Sequence, residues 1–315
     1  MTISIITNCS GRKRDIGVAP LDLAHLEATS LAELPRLWVD GIRRASVRVT
    51  SMDLYQGRAF AECRAASRLT SAELYVISAG LGMVHADDLV PSYSLTISEG
   101  AGSLQKWMSN QNVNSADWWQ ALCESLETPN PVSTLINAQP IASQILIALP
   151  SSYLAMVVPD IDKVHPHRLE SIRFFTSDAG VRVLPLRLRT AVMPYDERLE
   201  GIANHDGTRN DFPHRALKHF VTRLQGHHLS IDIAKKSVQL AMDSSVKRII
   251  PKRGRATDEQ IMELVRRNWS DYDGSASRLL RYLRDDAKVS CEQSRFSGLW
   301  RRIREDVSSQ GVLNG

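Results

Sequence analysis

The residues best suited to chemistry lie directly after short apolar runs in the first hundred positions. An apolar run that stops abruptly at small polar residues or glycines is typical of α/β proteins, in which ligands bind at the carboxyl ends of strands and glycine permits close backbone approach. We therefore predict one ligand crevice built from these strand ends. Its predicted substrate-binding residues are Asn8, Cys9, Ser10, Lys13, Tyr55, Gln56, Ser78, Gly80, Gly82 and Tyr93.

These residue types suit a nucleobase or nucleotide. Tyr55 or Tyr93 could stack on a base, and Asn8 and Gln56 could hydrogen-bond to its edge. Lys13 and the glycine backbone could hold phosphate or sugar oxygens. The pattern therefore predicts a nucleobase or nucleotide site.

Three carboxylates, Asp53, Asp87 and Asp88, are the candidate catalytic acids. Each has a structural alternative, because Asp53 could cap the helix expected near Gly57 and the other two could be ordinary loop acids. Cys9 is a weaker candidate, since a lone cysteine without a positioned histidine is more often a small buried residue than a nucleophile.

Alternation of β-rich runs with helical spacing predicts an α/β fold whose mostly parallel sheet is covered by helices on both faces. The predicted strands are Ile3 to Thr7, Ala45 to Ser51, Leu74 to Ile77, Ser133 to Asn137, Tyr153 to Val158 and Gly180 to Pro185. The predicted helices are Leu21 to Arg44, Arg58 to Ala72, Ala116 to Ser125, Ile141 to Leu149, Pro213 to Leu224, which has a basic face, and Ile231 to Met242. A surface loop is expected from Pro194 to Asn210.

Positive charge is concentrated near the end of the chain. Residues 247–304 contain fifteen Lys and Arg against eight Asp and Glu, although the whole chain has a net charge of only +4. A basic module joined to a slightly acidic one indicates a polyanion partner, with a solvated charged face as the alternative. We predict an α/β catalytic domain at 1–225, a helical basic linker at 226–255 and a helical DNA-binding domain at 256–315.

The basic module is predicted to hold three helices. The first begins at Thr257 with a capping box to Gln260, the second near Ser275, and the third contains Phe296 and Trp300. This arrangement predicts a small all-α, helix-turn-helix-like or winged domain, while a helical bundle for protein contacts is the alternative. The predicted DNA-binding residues are Arg278, Arg281, Arg284, Gln293, Ser294, Arg295, Arg301, Arg302 and Arg304.

Several classes of protein are disfavoured. No apolar run approaches the roughly 18 to 20 residues that cross a bilayer, and the start of the chain lacks signal-peptide features, so we expect a cytoplasmic protein with no membrane partner. The four cysteines are widely separated, and the His165-Pro166-His167 and His227-His228 motifs have no second cluster at ligand spacing. We therefore expect reduced thiols, no metal and no cofactor.

Four short motifs in the first hundred residues resemble an uncharacterised bacterial domain family. That family is similar to the uracil-DNA-glycosylase-like domain of archaeosine tRNA-modifying proteins and to anti-phage DNA glycosylases that remove glucosylated hydroxymethylcytosine. The chain departs from the family where Gly80 replaces a Lys and where Ser92 and Ser94 replace a Pro and an Asp, so the acid must lie elsewhere. The motifs are Cys9-Ser10-x-x-Lys13, Asp53-Leu54-Tyr55 with Phe60, Ile77-Ser78-Ala79-Gly80-Leu81-Gly82, and Asp87 with Tyr93-Ser94-Leu95-Thr96.

The resemblance implies a monofunctional DNA N-glycosylase that everts a modified base of double-stranded phage DNA and excises it. Such an enzyme needs a pocket for the everted base, a carboxylate near C1′ and a basic surface for the duplex. The alternatives are an N-glycosidic hydrolase or transferase acting on free nucleosides or nucleotides, and a non-catalytic DNA-binding sensor of a nucleotide. No obligatory protein partner is expected.

Overall fold

The computed structural model of the 315-residue chain describes residues 2–23, 30–98, 102–246 and 254–312, without the side chains of 308–312. The chain divides into two compact units, Met1–Arg248 and Ile249–Gly315. The first unit is an α/β domain with a mostly parallel central sheet, as the sequence predicts.

The strands of the first unit form one five-stranded sheet and two short ladders. The sheet has the order β5-β4-β1-β8-β9, and β5 alone among these strands runs antiparallel to its neighbour. The strands are β1 (Ile3–Asn8), β2 (Leu21–Asp22), β3 (Val49–Thr50), β4 (Glu73–Ser78), β5 (Gly82–His85), β6 (Leu89–Val90), β7 (Tyr93–Ser94), β8 (Gln144–Ala148) and β9 (Ile172–Phe175).

The helices of the first unit vary from one turn to more than three. They are α1 (Leu34–Arg44), α2 (Ser51–Leu54), α3 (Arg58–Thr70), α4 (Gln105–Gln111), α5 (Ser115–Ser125), α6 (Pro131–Ala138), α7 (Ser151–Ile161), α8 (Asp178–Val183), α9 (Leu186–Arg189), α10 (Phe212–Thr222) and α11 (Ile231–Asp243). Short 3₁₀ helices cover Pro166–Ser171, Glu197–Gly201 and Gly226–His228.

The connections of the sheet place helices on both faces. From the central strand β1 the chain crosses through α3 to β4 on one side, and from β8 it crosses through α7 to β9 on the other. Right-handed crossovers that run in opposite directions put their helices on opposite faces. Helix α10 packs against α3 and also contacts β8 and β9.

Four predicted elements have the wrong type. The segments predicted as strands at Ser133–Asn137, Tyr153–Val158 and Gly180–Pro185 lie in helices α6, α7 and α8, and the predicted helix Ile141–Leu149 contains strand β8. All five residues of β8 are buried, so its side chains lack the alternation that marks a half-exposed strand. Short apolar runs carry no periodicity that separates strand from helix.

Other boundaries also differ. The predicted helix Leu21–Arg44 is strand β2 followed by α1, and its residues 24–29 lie outside the described residues. Of the predicted strand Ala45–Ser51 only β3 forms, and β5 and β9 were not predicted. The helices predicted at Arg58–Ala72, Ala116–Ser125 and Ile231–Met242 are confirmed to within two residues at each end.

The predicted linker at 226–255 is wrong for its helical part. Ala234, Val238 and Met242 of α11 are fully buried in the same core as the sheet, so the first unit extends beyond position 225. Residues 247–253 of that linker lie outside the described residues. Helix α10 is present as predicted, but Arg215 and His219 are buried, so its expected basic face is largely a core face.

The described part of the second unit contains three helices around a small apolar core. These are α12 (Asp258–Arg267), α13 (Ala276–Asp285) and α14 (Gln293–Val312). The capping box is confirmed, since the Thr257 hydroxyl accepts from the Gln260 amide at 3.3 Å and the Gln260 side chain accepts from the Thr257 amide at 2.9 Å. The unit is not all-α, because β10 (Gly254–Arg255) pairs in parallel with β11 (Val289–Ser290).

Glycines shape the turn between β4 and β5. Gly82 has φ +68°, which favours glycine, and a Cβ at Gly80 would lie 2.8 Å from two ring atoms of Tyr93 and 3.3 Å from Trp38. The two glycines thus allow the hairpin and the close packing of Tyr93 behind it. Across the described ranges, no helix is long and apolar enough to cross a bilayer.

Gly80→Ala is expected to lower the free energy of unfolding by about 1–3 kcal/mol, because the new methyl group overpacks the ring of Tyr93. Urea denaturation followed by tryptophan fluorescence measures the change. Gly11→Ala is the matched control, since a Cβ there meets no atom within 4 Å and φ is negative. Equal stability of the two variants would contradict this role of Gly80.

Candidate functional site

A large cavity in the described part of the first unit lies where the chain leaves β1 and β8 in opposite directions. In an open parallel sheet this switch point leaves a crevice at the carboxyl ends of the strands. The cavity has a volume of about 1320 Å³. Its lining includes Asn8, Cys9, Ser10 and Lys13 after β1, Tyr93 and Ser94 of β7, Pro150, Ser152 and Tyr153 after β8, Arg58 and Phe60 of α3, and Thr208, Asn210, Asp211 and His214.

The end of β1 makes two side-chain contacts across the crevice. Asn8 Oδ1 accepts a hydrogen bond from His214 Nε2 at 2.9 Å, while Asn8 Nδ2 donates to the Cys9 carbonyl. The Cys9 thiol lies 3.0 Å from the Tyr153 hydroxyl and so connects the ends of β1 and β8. These contacts fix the orientation of the Asn8 amide and leave it one further donor and one further acceptor position.

Lys13 lies over the face of Tyr93, with its ammonium nitrogen 4.0 Å from the ring centroid. A β-bridge between Lys13 and Tyr55 holds the loop in this position, and Arg14 N donates to the Leu54 carbonyl beside it. The contact is a cation–π interaction, which favours the charged amine. A positive charge is therefore held at the wall of the cavity.

A chain of hydroxyl groups supports Tyr93 from behind. The Tyr93 hydroxyl lies 2.9 Å from that of Tyr55 and 2.6 Å from that of Ser78, and the Ser78 oxygen accepts from the amides of Gly80 and Leu81. Both tyrosines and Ser78 are buried. The chain connects the turn after β4 to the wall of the crevice.

Burial determines the protonation states of these groups. Burial lowers the pKa of the Lys13 ammonium, and the nearby Cys9 opposes that shift. Burial, reinforced by Cys9, raises the pKa of the Tyr93 and Tyr153 hydroxyls well above the usual value. Both tyrosines therefore stay protonated at neutral pH and act as hydrogen-bond donors or acceptors, not as phenolates.

Three helices begin at this cavity. Arg58 opens α3, Ser151 opens α7, and Phe212 opens α10, and none of these ends has a side-chain cap. The first amides of a helix have no partner within the helix, and the helix dipole makes this end partly positive. Three such ends give the cavity an environment that suits negatively charged or electron-rich ligand groups.

Asp211 is a buried carboxylate in the lining of the cavity, and Arg215 holds it in place. Its Oδ1 accepts from Arg215 Nε and from the Thr208 amide, both at 2.8 Å. Its Oδ2 lies 3.9 Å from Arg58 Nε and, among the described residues, accepts no hydrogen bond. One carboxylate oxygen is thus anchored, and the other is available to a ligand.

The fully buried guanidinium of Arg215 also binds the preceding loop. It donates to Glu200 and to the Thr208 carbonyl at 2.8 Å, and to the His205 carbonyl. The loop that carries Thr208 into the cavity wall is therefore attached to α10 through one side chain.

The structure brings together five predicted substrate-binding residues, Asn8, Cys9, Ser10, Lys13 and Tyr93, in the lining of one cavity. Tyr55 and Ser78 lie behind Tyr93 in the hydroxyl chain. Gly80 and Gly82 form the β4–β5 turn and do not line the cavity. Residues at or after the ends of β1 and β7 therefore line the cavity, as expected. The end of β4 does not line the cavity and contacts its wall through the hydrogen bond between Ser78 and Tyr93.

The prediction that Asp87 and Asp88 lie at the crevice is wrong. Strand β5 returns antiparallel to β4, so the residues after it lie at the opposite end of the sheet, where the Ala86 amide bonds to the Leu74 carbonyl. Both acids are exposed, and Asp88 accepts from the His85 amide at 2.7 Å. They are turn acids, which is the alternative that the sequence left open.

Asp53 and Gln56 lie in a neighbouring groove of about 440 Å³. Asp53 accepts a hydrogen bond from the Thr50 hydroxyl at 2.9 Å, and its amide donates back to that oxygen at 3.2 Å, so it belongs to the cap of α2. It does not cap α3, which was the alternative considered. Both side chains are exposed and outside the main cavity.

Sequence reasoning missed Arg58, Ser152, Tyr153, Asp211 and His214. Tyr153 follows β8, whose strand was predicted as a helix, so the small polar segment after it was not recognised as a strand end. The signal that could have found it was Pro150-Ser151-Ser152 directly after a buried apolar run. Asp211 and His214 reach the crevice because α10 packs against the rest of the domain. Local sequence patterns do not predict such packing.

The predicted DNA-binding side chains of the second unit fall into two groups. Arg278 pairs with Asp273, Arg284 donates to the Cys291 carbonyl, and Arg295 pairs with Asp258. The other residues all have exposed side chains, although Arg301 also donates to the Ser297 carbonyl and Arg304 lies over the Trp300 ring. They are Arg281, Gln293, Ser294, Arg301, Arg302 and Arg304.

The four cysteines are free thiols and buried. In the part of the chain that the structure describes, no group of three or more His, Cys, Asp or Glu side chains is arranged to hold a metal ion.

No family model matches the chain, and neither a curated protein nor a solved structure matches it.

Stability should fall as the pH drops from about 6.5 to 4. Burial lowers the pKa of His214 from 6.5 to about 4, so the unfolded chain takes up this proton at a higher pH than the folded chain does. His219 behaves in the same way. Each histidine contributes a slope of at most about 1.4 kcal/mol per pH unit, measured by urea unfolding across this range.

His214→Gln should reduce the pH dependence of the free energy of unfolding by roughly the contribution of one histidine. His167→Gln, at an exposed histidine outside the crevice, is the control and should keep the parent profile. A parent-like profile for His214→Gln would contradict the assignment of a buried neutral imidazole.

Proposed function

We propose that this chain is a DNA N-glycosylase, a hydrolase that excises a modified base from phage DNA and leaves an abasic site. The preferred substrate is a hexosylated pyrimidine such as glucosylated hydroxymethylcytosine. The observation that carries the proposal is Asp211, a buried carboxylate with one anchored oxygen and one available oxygen, in a cavity at the switch point of the sheet. The chain would act in the cytoplasm, where injected phage DNA is found.

The chemistry of N-glycoside cleavage suits this carboxylate. As the bond from C1′ to the base breaks, positive charge develops on the sugar, and a carboxylate beside C1′ stabilises it or takes a proton from the attacking water. Arg215 fixes Asp211 through Oδ1, which leaves Oδ2 for this role. Asp211 thereby takes the catalytic role that was predicted from the sequence for Asp53, Asp87 or Asp88.

The departing base needs donors for its developing negative charge. Lys13 supplies a cation at the cavity wall, and the Tyr153 hydroxyl is a protonated donor held by Cys9. The available positions of the Asn8 amide could read the base edge, as the sequence suggests. In the transition state, the protein donors stabilise the negative charge on the departing base, and the carboxylate stabilises the positive charge on the sugar.

The size of the cavity favours a substituted base. Its volume of about 1320 Å³ exceeds the range of about 300–1,000 Å³ typical of small-molecule sites. A base with an attached hexose, together with its deoxyribose and phosphate, would use this space better than an unmodified pyrimidine.

Two further features support DNA as the substrate. The motifs that resemble the glycosylase-like family include Cys9, Lys13 and Tyr93, which all line the cavity. The second unit has the helical content of a helix-turn-helix or winged domain, and exposed Gln293 and Ser294 open α14, where a recognition helix would contact bases.

One observation favours a second candidate, an N-glycosidic hydrolase that acts on free nucleotides. All the described residues that line the cavity belong to the first unit. For this enzyme the basic module would be incidental.

Asp211→Asn should lower base release by about 10²- to 10⁴-fold, because the amide cannot stabilise the cationic sugar or accept a proton from water. Release of free base from a duplex with glucosylated hydroxymethylcytosine, together with the abasic sites formed, measures the activity. Asp87→Asn, at an exposed turn acid outside the main cavity and the neighbouring groove, is the matched control and should retain activity. Thermal unfolding of both variants checks that the fold is kept, and full activity of a folded Asp211→Asn would contradict the assignment.

A comparison of substrates separates the two candidates. The full chain should release base from the modified duplex at least 10-fold faster than from the corresponding free nucleotide at equal concentration, because a glycosylase uses binding energy from the flanking DNA to drive the reaction. Faster release from the free nucleotide would support the second candidate, and no release from any substrate would reject both.

A further inference from the structure

A second groove continues the main cavity along the surface of the first unit. It has a volume of about 440 Å³ and shares Arg14 and Phe60 with the main cavity. The groove is lined by Arg14, Asp53, Tyr55, Gln56, Gly57, Phe60, Ala61 and Arg64. The two depressions therefore adjoin each other at these side chains, and we call the pair the trough.

Helix α3 forms one wall of this trough. Gly57, Phe60, Ala61 and Arg64 recur at the spacing of one helix face, so they line the groove together. Arg58 lines the main cavity, and Arg64 lies six positions further along the helix, a rise of about 9 Å. Phosphates along one DNA strand are about 3.4 Å apart along the helix axis, so this distance spans more than one phosphate.

The arginines that line the main cavity and the groove differ in how they are paired. Arg58 is close to Glu62 and Asp211, at 3.6 and 3.9 Å, and donates to the Asp206 carbonyl. Arg14 and Arg64, in contrast, form no ion pair with the described residues. The groove's own carboxylate, Asp53, is bonded to Thr50. Two cations without acidic partners therefore line the path that leads out of the main cavity.

We propose that Arg14 and Arg64 bind backbone phosphates of the DNA strand next to the nucleotide held in the main cavity. This inference rests on the proposed function for the identity of the polyanion. A free mononucleotide would fill the main cavity and leave the groove empty, whereas a strand that continues beyond the everted nucleotide has phosphates to place there. The first unit thus holds its own DNA contacts, separate from those of the basic module.

The salt dependence of binding tests this directly in the full chain. A protein that neutralises a phosphate releases counterions, and each contact adds about 0.9 to the slope of log affinity against log salt for duplex DNA. Arg14→Gln and Arg64→Gln should each lower the slope by about 0.9 and weaken binding several-fold at low salt. Fluorescence anisotropy with a labelled duplex that contains glucosylated hydroxymethylcytosine measures both quantities.

Arg68→Gln is the matched control. Arg68 lies one turn beyond Arg64 on α3, is exposed, lines neither depression and forms no ion pair with the described residues. It has the same charge on the same helix, so a nonspecific effect of net charge would move all three variants equally. The control should keep the parent slope.

The outcomes separate this inference from the proposed function. Parent-like slopes for Arg14→Gln and Arg64→Gln, or an equal loss in Arg68→Gln, would overturn the inference even if base release persists. Lower slopes in the two groove variants, with no base release from any substrate, would support the DNA contact and reject the glycosylase. Binding is measured with the parent chain and every variant in the Asp211→Asn background, so the modified base stays in the duplex and neither result depends on the other.

Discussion

The buried guanidinium of Arg215 is the interaction on which the crevice depends. It is fully excluded from solvent and meets two carboxylates, of Asp211 and Glu200, and two backbone carbonyls. A charge in this position is tolerated only when it is paired and hydrogen-bonded, and loss of one partner typically costs about 3–5 kcal/mol. The same contacts attach the 205–211 loop to α10 and direct one oxygen of Asp211 to the cavity. Stability and the position of the candidate acid are therefore linked through one side chain.

The crevice beside Arg215 contains both positively charged groups and buried groups that stay neutral. Lys13, Arg58 and the openings of three helices provide positive potential, while Tyr93, Tyr153 and His214 are buried and kept neutral. Neutral donors can hydrogen-bond to a ligand without the desolvation cost of further charge. The crevice therefore combines positive potential with neutral hydrogen-bonding groups.

About half of the residues in this site could be predicted from the sequence, because they lie close together in the chain at the end of a strand. Asn8, Cys9, Ser10 and Lys13 follow the first strand directly, and a strand that ends in small polar residues is visible without a structure. Asp87 and Asp88 were misplaced because the apparent third strand is one arm of a hairpin, whose returning strand carries them to the other end of the sheet.

The other half depends on tertiary packing. Strand β8 is buried throughout and has no alternation, so its type was misassigned, and Tyr153 after it was overlooked. Asp211 and His214 are about two hundred positions from β1 and reach it only because α10 packs on α3 beside the sheet. A single sequence without alignment holds no signal for such a contact.

The most direct test of the account is a crystal structure of the Asp211→Asn variant bound to a duplex that contains glucosylated hydroxymethylcytosine. The account predicts one nucleotide everted into the cavity between Asn8, Tyr93 and Tyr153, with its C1′ within about 4 Å of the residue 211 side chain and an intact glycosidic bond. A modified base that stays stacked in the duplex, or one that is held on another surface of the protein, would contradict it.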